Sequence, residues 1–196
     1  VETINAIVMV VDETDYAHYL YDQHTAKPGH YEVQVIHTAA LVVSRDRKII
    51  FGQMGKHTAR AGILQLCGGG IDRDDLRGDI FDLDHNIAKE LKEELGADAT
   101  DPAQVARYER AFLKEGGSTG KLTVIYRVEL AETTEEFSAR YKSFVKNLIK
   151  RGETPEFSHL VVLAKNENAI GKFFKANEQR CDEYMRPLFD VLLKTI

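Results

Sequence analysis

Two neighbouring stretches of the chain decide its fold and its chemistry. The first, Leu66-Cys67-Gly68-Gly69-Gly70-Ile71-Asp72, ends a short apolar run and contains three successive glycines. The second, Ile87-Ala88-Lys89-Glu90-Leu91-Lys92-Glu93-Glu94-Leu95-Gly96-Ala97, has helical spacing of its apolar residues and a glycine suited to the position after a helix end. Together they predict a strand, a loop whose backbone can approach a ligand closely, and a helix.

Three carboxylates of this predicted helix lie on one face. Helical geometry places Glu90, Glu93 and Glu94 within an arc of about 100° beside the apolar stripe. Like charges at these spacings destabilise an isolated helix by roughly 0.2–0.5 kcal/mol per pair, whereas Mg²⁺ prefers carboxylate oxygens. The residues alone leave two interpretations open, a solvated surface face or a cation site. An EF-hand loop beginning at Asp82 is disfavoured, because its sixth position requires Gly and is Ile87.

Length and composition favour one globular domain spanning residues 1–196. Of the 196 residues 43% are hydrophobic and 29% are charged, which excludes a disordered chain. The net charge of −5 argues against a nucleic-acid partner, and no apolar run approaches the roughly 20 residues of a membrane span. Two cysteines, Cys67 and Cys181, are few for a secreted domain, so we expect a cytoplasmic protein.

The order of the predicted elements indicates an α/β (α+β) sandwich around a mixed sheet. An N-terminal arm, residues 1–31, precedes it and a helical segment, residues 167–196, ends it. Strands are predicted at Ile4–Val11, Val33–Val43, Lys48–Gln53, Ile63–Leu66, Glu109–Leu113, Leu122–Leu130 and His159–Ala164, and helices at Ile87–Leu95, Glu132–Lys150, Glu167–Ala176 and Gln179–Lys194.

The glycine loop and the carboxylate helix resemble the signature of the Nudix hydrolases. That signature is a Gly, five residues, a Glu, seven residues, then Arg-Glu-apolar-any-Glu-Glu-any-Gly-apolar. Residues 89–97 match its second half, with Lys89 in place of Arg, and Gly69 corresponds to the leading Gly. The resemblance covers roughly residues 33–165 and implies the Nudix α/β/α sandwich.

The chain departs from this signature in the length of its loop. From Gly69 to Lys89 there are 89 − 69 = 20 positions where the pattern has 14, so the loop has about six extra residues. The central Glu has no certain counterpart, and Asp79 is the nearest by context. We expect Asp74, Asp75, Asp82 and Asp84 to be mostly solvated or helix-capping.

The resemblance implies a divalent-metal-dependent pyrophosphohydrolase that cleaves a diphosphate linkage in a nucleoside diphosphate derivative. Its cofactor would be Mg²⁺ or Mn²⁺, with candidate ligands Glu90, Glu93, Glu94 and the carbonyl of Gly68. The general base would be Glu90 or a late loop residue, of which Glu156 is favoured over Glu153 and Glu115. Candidate substrate-binding residues are Gly69, Gly70, Lys56 and Arg60.

Two other functions remain open beside hydrolysis. The Lys89 substitution and the lengthened loop are also compatible with a non-catalytic Nudix-like module that senses a nucleotide. An isomerase of isoprenoid diphosphates shares the general fold but is disfavoured by the glycine-rich loop and helix. In each case the partner is a small phosphate compound, with no nucleic acid or membrane involved, and the arm is a candidate for building a homodimer.

Overall fold

A mixed six-stranded sheet with helices on both faces forms the body of the protein in the computed structural model, which describes residues 7–25, 33–117 and 120–194. The strands are β1 (Ile36–Val43), β2 (Lys48–Met54), β3 (Leu64–Gln65), β4 (Leu76–Arg77), β5 (Ile80–Phe81), β6 (Val105–Lys114), β7 (Leu122–Leu130) and β8 (Phe157–Ala164). The helices are α1 (Tyr16–Thr25), α2 (Leu83–Leu95), α3 (Thr134–Lys150), α4 (Glu167–Asn177) and α5 (Met185–Leu193).

The central strand of the sheet is β1. The order is β3-β2-β1-β7-β6, and β8 pairs with β2. β1 and β7 run parallel, whereas the other named pairs are antiparallel. A parallel pair is normally covered on both faces, which explains why β1 reads as a continuous apolar run. Two side chains of β1, Ala40 and Val42, pack towards α2, and two others, Ala39 and Leu41, pack towards α5.

Each face of the sheet therefore has its own hydrophobic core. The face covered by α2 and α3 buries apolar residues from both helices, among them Ile87, Leu91, Leu95 and Phe137. The opposite face is covered by α4 and α5 and buries Ile170, Phe174, Leu188, Phe189 and Leu192. The predicted sandwich around a mixed sheet is confirmed.

Both ends of α2 are fixed by side chains that the sequence supplies locally. The carboxylate of Asp82 accepts a hydrogen bond from the backbone of His85 and caps the first turn. Gly96 follows the last turn with φ 60°, and the ring of Phe144 on α3 occupies the space that a Cβ there would need. Arg140 of α3 also donates to the carbonyl oxygens of Leu95 and Gly96. α3 thus holds the C-terminal end of α2 in place.

The arm differs from its sequence-based prediction. Residues 7–11 form no strand, and Val8 and Val10 are 90% and 97% exposed. A β-branched run becomes a strand only where a neighbouring strand completes its hydrogen bonds, and residues 7–11 have no such pairing. The remainder of the predicted strand, residues 4–6, lies outside the described residues. None of the helices described in the structure has both the length and the apolar character needed to cross a bilayer.

Candidate active site

The glycine loop lies tightly against β1 and α2. The backbone amide of Thr38 donates to the carbonyl of Gly69, and that of Ala40 to Cys67. Gly68 has φ 149°, and a Cβ there would lie 2.0 Å from the carbonyl oxygen of Thr38. A Cβ on Gly69 would lie 2.5 Å from Oε1 of Glu90, whereas one on Gly70 would meet nothing closer than 3.9 Å. The first two glycines are therefore required by the close approach of their neighbours.

The three helix carboxylates are placed differently relative to solvent. Glu94 is buried, and its Oε2 accepts a hydrogen bond of 3.0 Å from the amide of Gly68. Glu90 is half-buried against Gly69, and Glu93 is exposed. A fourth carboxylate, Glu156, comes from the loop before β8, where its own carbonyl oxygen accepts a bond of 2.7 Å from the amide of Gly55.

The charges of these groups act on one another. Burial raises the pKa of Glu90 to about 7, and the negative charges of Glu93 and Glu156 add to the shift. Burial also raises the pKa of Glu94 well above its ordinary value, with contributions from Glu156 and Glu90. We call Glu90, Glu93, Glu94 and Glu156 the acidic face. The charge of the favoured late-loop carboxylate, Glu156, therefore acts on two of the predicted helix carboxylates, Glu90 and Glu94.

The acidic face has the donor chemistry that a hard divalent cation requires. Its groups are carboxylate oxygens whose mutual repulsion a cation would relieve. Within the described part of the chain, no group of three or more His, Cys, Asp or Glu side chains is arranged so that it could hold a metal ion by itself. Mg²⁺ usually keeps several water ligands and is held by one or two carboxylates together with substrate phosphates. The residues thus fit an ion that is shared with a phosphate substrate.

On the neighbouring face of α2, the positive charge of Lys89 is neutralised by Asp75, a residue that we did not expect at the site. Asp75 is fully buried and therefore not solvated, but it does cap a helix: its carboxylate accepts from the amide of Asp72, the N-cap of the short 3-10 helix Arg73–Asp75. Asp75 accepts hydrogen bonds from Asn86 at 2.8 Å and from the amide of Asp72 at 3.0 Å, and it lies 3.3 Å from Nζ of Lys89 and 3.0 Å from Nδ1 of His85. Burial alone would raise the pKa of Asp75, but these hydrogen bonds and the charge of Lys89 together lower it.

Asp75, and not Asp79, therefore fills the place of the central Glu of the signature. Asp79 is exposed, whereas Asp75 contacts Lys89, the residue that stands for Arg. The sequence carries this signal, because Gly69, five residues and Asp75 reproduce the first half of the signature without any insertion.

The extra residues of the loop form a separate hairpin. β4 and β5 pair as Leu76 with Phe81 and Arg77 with Ile80, so residues 76–81 account for all six inserted positions. The amide of Asp82 donates to the carbonyl oxygen of Asp75 at 2.8 Å and closes the hairpin at its base. The insertion therefore pairs with itself and leaves the rest of the signature in register.

The two predicted substrate-binding cations, Lys56 and Arg60, differ in their surroundings. Lys56 is exposed in the loop after β2, whereas Nη1 of Arg60 lies 2.6 Å from Oδ2 of Asp182. A cation that sequence reasoning missed, Arg180, donates to the side chain of Gln53 at 2.6 Å. Of the weaker candidates for the general base, Glu115 is exposed, and so is Glu153, which pairs with Arg151.

Known proteins resemble the chain more in structure than in sequence. No protein-family model matches it. It is 30% identical over 78 residues to a CTP pyrophosphohydrolase of Escherichia coli (strain K12), which is 40% of this chain and 53% of that protein. A bifunctional NMN adenylyltransferase/ADP ribose pyrophosphatase from Francisella tularensis superimposes with a TM-score of 0.54 at 15% identity, over 91% of this chain and 45% of that one. A NUDIX hydrolase from Nitrosomonas europaea gives 0.46 at 12% identity, over 83% and 87%.

These similarities agree with the geometry of the site. The chain spans about half the length of the first two proteins, and at 15% identity the structural likeness concerns the fold. The strand, glycine loop and carboxylate helix stand in the order and contact that the signature requires. The expected fold is thereby confirmed: the chain has the fold of the Nudix hydrolases.

Proposed function

We propose that the protein is a divalent-metal-dependent pyrophosphohydrolase that cleaves a diphosphate linkage in a nucleoside diphosphate derivative. The observation that carries this proposal is the acidic face, where Glu94 accepts from the amide of Gly68 and Glu90 lies against Gly69. Burial, together with the charges of neighbouring carboxylates, raises the pKa of both. The names of two similar proteins, a CTP pyrophosphohydrolase and an ADP ribose pyrophosphatase, support it.

The side chains have distinct parts in this reaction. Bound Mg²⁺ or Mn²⁺ would neutralise phosphate charge and lower the pKa of the attacking water. Glu90, Glu93, Glu94 and the carbonyl of Gly68 would hold it. Gly69 and Gly70 have no side chains, so their backbone can approach the phosphates. Lys56, in the loop after β2, supplies an exposed positive charge for them. Arg60 is paired with the carboxylate of Asp182, so it would contact the substrate while it keeps this partner.

Glu90 is the favoured general base and Glu156 is the second choice. A base is most effective when its pKa lies near the working pH, and the pKa of Glu90 is about 7. Glu90 would accept the proton of the attacking water while the diphosphate oxygen leaves with the second phosphate. Glu156 acts on Glu90 electrostatically and would take this role if Glu90 serves as a ligand only.

The pairing of Lys89 removes one reason to prefer a sensing function. The lysine and the long loop were the reasons to consider a non-catalytic module. Lys89 nevertheless pairs with both Asp72, at 3.1 Å, and the buried Asp75. The lysine is therefore compatible with hydrolysis, and product release distinguishes the two functions.

Product release from a panel of phosphate compounds tests the proposal. Nucleoside triphosphates, nucleotide sugars, ADP-ribose and dinucleoside polyphosphates are incubated with the full chain and Mg²⁺ or Mn²⁺. We expect metal-dependent turnover of at least one compound and its loss in Glu93→Gln and Glu94→Gln. Glu153→Gln is the matched control, because that carboxylate is exposed and outside the acidic face.

Two outcomes would contradict the proposal. Undiminished turnover in both variants would remove the metal assignment. Nucleotide binding without any product over hours would favour the sensing module instead.

We also propose that the protein works in the cytoplasm on small phosphate compounds, as a homodimer built through the arm. Both cysteines are unbonded thiols, Cys67 buried and Cys181 half-buried, as a reducing compartment allows. The exposed apolar side chains of residues 7–11 support an interface there. A monomeric elution profile at micromolar concentration would contradict the dimer.

A further inference from the structure

A cavity of about 330 Å³ lies between the sheet and α5, at the end of the sheet where β1 turns into β2. Leu41 and Val43 of β1 and Leu192 of α5 form its apolar wall. The acidic face belongs to α2, which covers the other side of the sheet. Val43 is also five residues beyond Thr38, the residue of β1 that bonds to the glycine loop, which is roughly 16 Å along the strand. The cavity is therefore separate from the candidate active site.

Positive side chains surround this apolar wall. The charged residues that line the cavity are four cations and one carboxylate: Arg45, Arg47, Arg127, Lys165 and Glu129. Arg45 is paired outside the cavity, because its Nη2 lies 3.0 Å from Oε2 of Glu136 on α3. The side chains of the other three cations make neither a hydrogen bond nor an ion pair with any residue that the structure describes. We call this space, with its three unpaired cations, the basic cavity.

The unpaired cations are close enough to act on one another. Burial lowers the pKa of Lys165, and the positive charges of Arg127 and Arg47 lower it further. Glu129 opposes this shift, but its Oε1 also lies 3.4 Å from Nη2 of Arg107 on β6. Three cations and one carboxylate leave the basic cavity with a net charge of +2. Half-buried cations without a partner are unusual, so an anion is the missing component of this cavity.

The backbone of Arg47 gives a second, independent indication. Arg47 has φ 62°, and its amide donates to the carbonyl oxygen of Ser44 at 2.8 Å to close the turn between β1 and β2. This left-handed conformation is comfortable for Gly or Asn and strained for a long side chain. The turn would therefore form more easily without an arginine. Strain of this kind is typical of positions where the side chain serves binding, and here it lines the basic cavity.

The charge and size of the basic cavity fit a phosphate group on a small molecule. Two guanidinium groups can each bind a phosphate through two parallel hydrogen bonds, and an ammonium group adds a third positive charge. A phosphate ester carries a charge of about −1.5 to −2 at neutral pH, which matches a net charge of +2 better than the single charge of a carboxylate. The volume of about 330 Å³ is near the lower end of small-molecule sites, and the apolar wall can contact the organic part of such a ligand.

We propose that the basic cavity binds a small organic phosphate, whose phosphate group is held by Arg47, Arg127 and Lys165. The apolar part of the ligand contacts Leu41 and Leu192. This binding site is distinct from the acidic face, and it does not depend on the proposed hydrolysis.

Calorimetry with three simple anions tests the proposal. Phenyl phosphate, benzoate and inorganic phosphate are titrated into the full chain at pH 7 without divalent metal, so that the carboxylates of the acidic face repel the probes. We expect phenyl phosphate to bind about tenfold or more tightly than benzoate, because benzoate has the same ring but a single charge. Phenyl phosphate should also bind more tightly than inorganic phosphate, because the ring buries apolar surface against the wall.

Two variants assign this binding to the basic cavity. Arg47→Gly relieves the strained backbone, so the melting temperature stays or rises, while the affinity for phenyl phosphate falls about tenfold. Arg127→Gln removes one of several like charges and should lower the affinity by a similar factor. Arg151→Gln is the matched control. It is exposed beyond the C-terminal end of α3, about 25 Å from the N-terminal end of that helix, where Thr134 contacts Ser44 of the cavity.

A third variant should change the affinity in the opposite direction. Glu129→Gln removes the one negative charge that lines the basic cavity, so phenyl phosphate should bind several-fold more tightly. A residue that only supports the fold would not produce a gain.

The proposal has clear contrary outcomes. Absence of phenyl phosphate binding at millimolar concentration, equal affinities for phenyl phosphate and benzoate, or affinities that Arg47→Gly and Arg127→Gln leave unchanged would each overturn it. None of these results would affect metal-dependent turnover, which tests the acidic face.

Discussion

The two polar faces of α2 are held in opposite ways. On one face Lys89, Asn86 and His85 surround the buried Asp75, so each charge has a partner. On the other, the acidic face has carboxylates of one sign, and its buried member Glu94 is hydrogen-bonded by the amide of Gly68 and the thiol of Cys67. The 13-residue helix α2 thus carries one group of side chains whose charges are paired and, next to it, a group of carboxylates whose charges are not.

This difference separates the residues that shape the site from those that work in it. The satisfied network fixes the loop to the helix, and it should matter for stability. The acidic face holds charge that the fold alone does not neutralise, and it should matter for ligand binding at some expense of stability. Each of the following predictions addresses one side of that contrast.

Removal of Asp75 should have the largest effect on stability. Asp75→Ala leaves the ammonium group of Lys89 and the amide of Asn86 without their buried partner. We expect the free energy of unfolding to fall by about 3 kcal/mol, measured by urea denaturation. Asp79→Ala is the control, since that residue is exposed in the hairpin turn, and it should change stability by less than about 0.5 kcal/mol. A loss below about 1 kcal/mol for Asp75→Ala would show that the contacts of Asp75 with Lys89 and Asn86 are dispensable for stability.

Neutralising Glu94 should change stability in the opposite direction. The pKa of Glu94 is raised in the folded protein, so its protonated form stabilises the fold at low pH and this contribution is lost as the pH rises above the unfolded value. Without metal at pH 8, Glu94→Gln should stabilise the protein by about 1–2 kcal/mol, because a buried unpaired charge disappears while the bond from Gly68 can remain.

At pH 5 the gain from Glu94→Gln should shrink. Glu93→Gln, on the exposed side chain, is the matched variant and should change stability by less than about 0.5 kcal/mol at either pH. Destabilisation by Glu94→Gln at pH 8 would contradict the description of the acidic face as uncompensated.

Added Mg²⁺ should stabilise the wild-type protein more at pH 8 than at pH 6. The pKa of Glu90 is about 7, so this carboxylate is charged at the higher pH and mostly protonated at the lower one. We expect the melting temperature to rise by about 2–4 °C at pH 8 and by less at pH 6, measured by scanning calorimetry. Glu90→Gln should reduce the dependence on pH without abolishing it, because the pKa of Glu94 is also raised. An equal rise at both pH values in the wild type would exclude Glu90 from the site.

Shortening the hairpin should have the smallest effect. The side chains of Leu76 and Ile80 are exposed, and the base of the hairpin is already closed by the contact between Asp75 and Asp82. Replacement of residues 76–81 by Gly-Gly should change the unfolding free energy by less than about 1 kcal/mol, because loop length alone costs little. A larger loss of unfolding free energy, with Asp75 still present, would mean that the hairpin supports the contact between Asp75 and Lys89.

Sequence reasoning identified the elements that carry their own local signals. The apolar stripe and the terminal Gly96 predicted α2 over Ile87–Leu95, and the helix begins four residues earlier, at Leu83. The fold class followed from the order of these elements. Glu156 was selected from the position of its loop before a strand, and its role as a base stays a prediction.

The errors concern contacts between distant residues. Asp75 was interpreted as solvated or helix-capping, and its burial was missed because it depends on Asn86 and Lys89, which lie 11 and 14 positions further along the chain. Ile4–Val11 was predicted as a strand, and its described part, residues 7–11, is not one, because β propensity does not indicate whether a partner strand exists. Arg60 pairs with Asp182, which lies 122 positions away, and the residues next to either one give no sign of this contact.

The contact between α3 and the end of α2 has a consequence for hydrogen exchange. Arg140 binds the last carbonyl oxygens of α2, and Phe144 fills the space beside Gly96, so the final turn of α2 cannot fray while α3 is docked. Helix ends ordinarily exchange their amide hydrogens first. In this protein the amides of residues 91–95 should be as slowly exchanging as those of the middle of the helix, and they should open together with α3 as one cooperative unit.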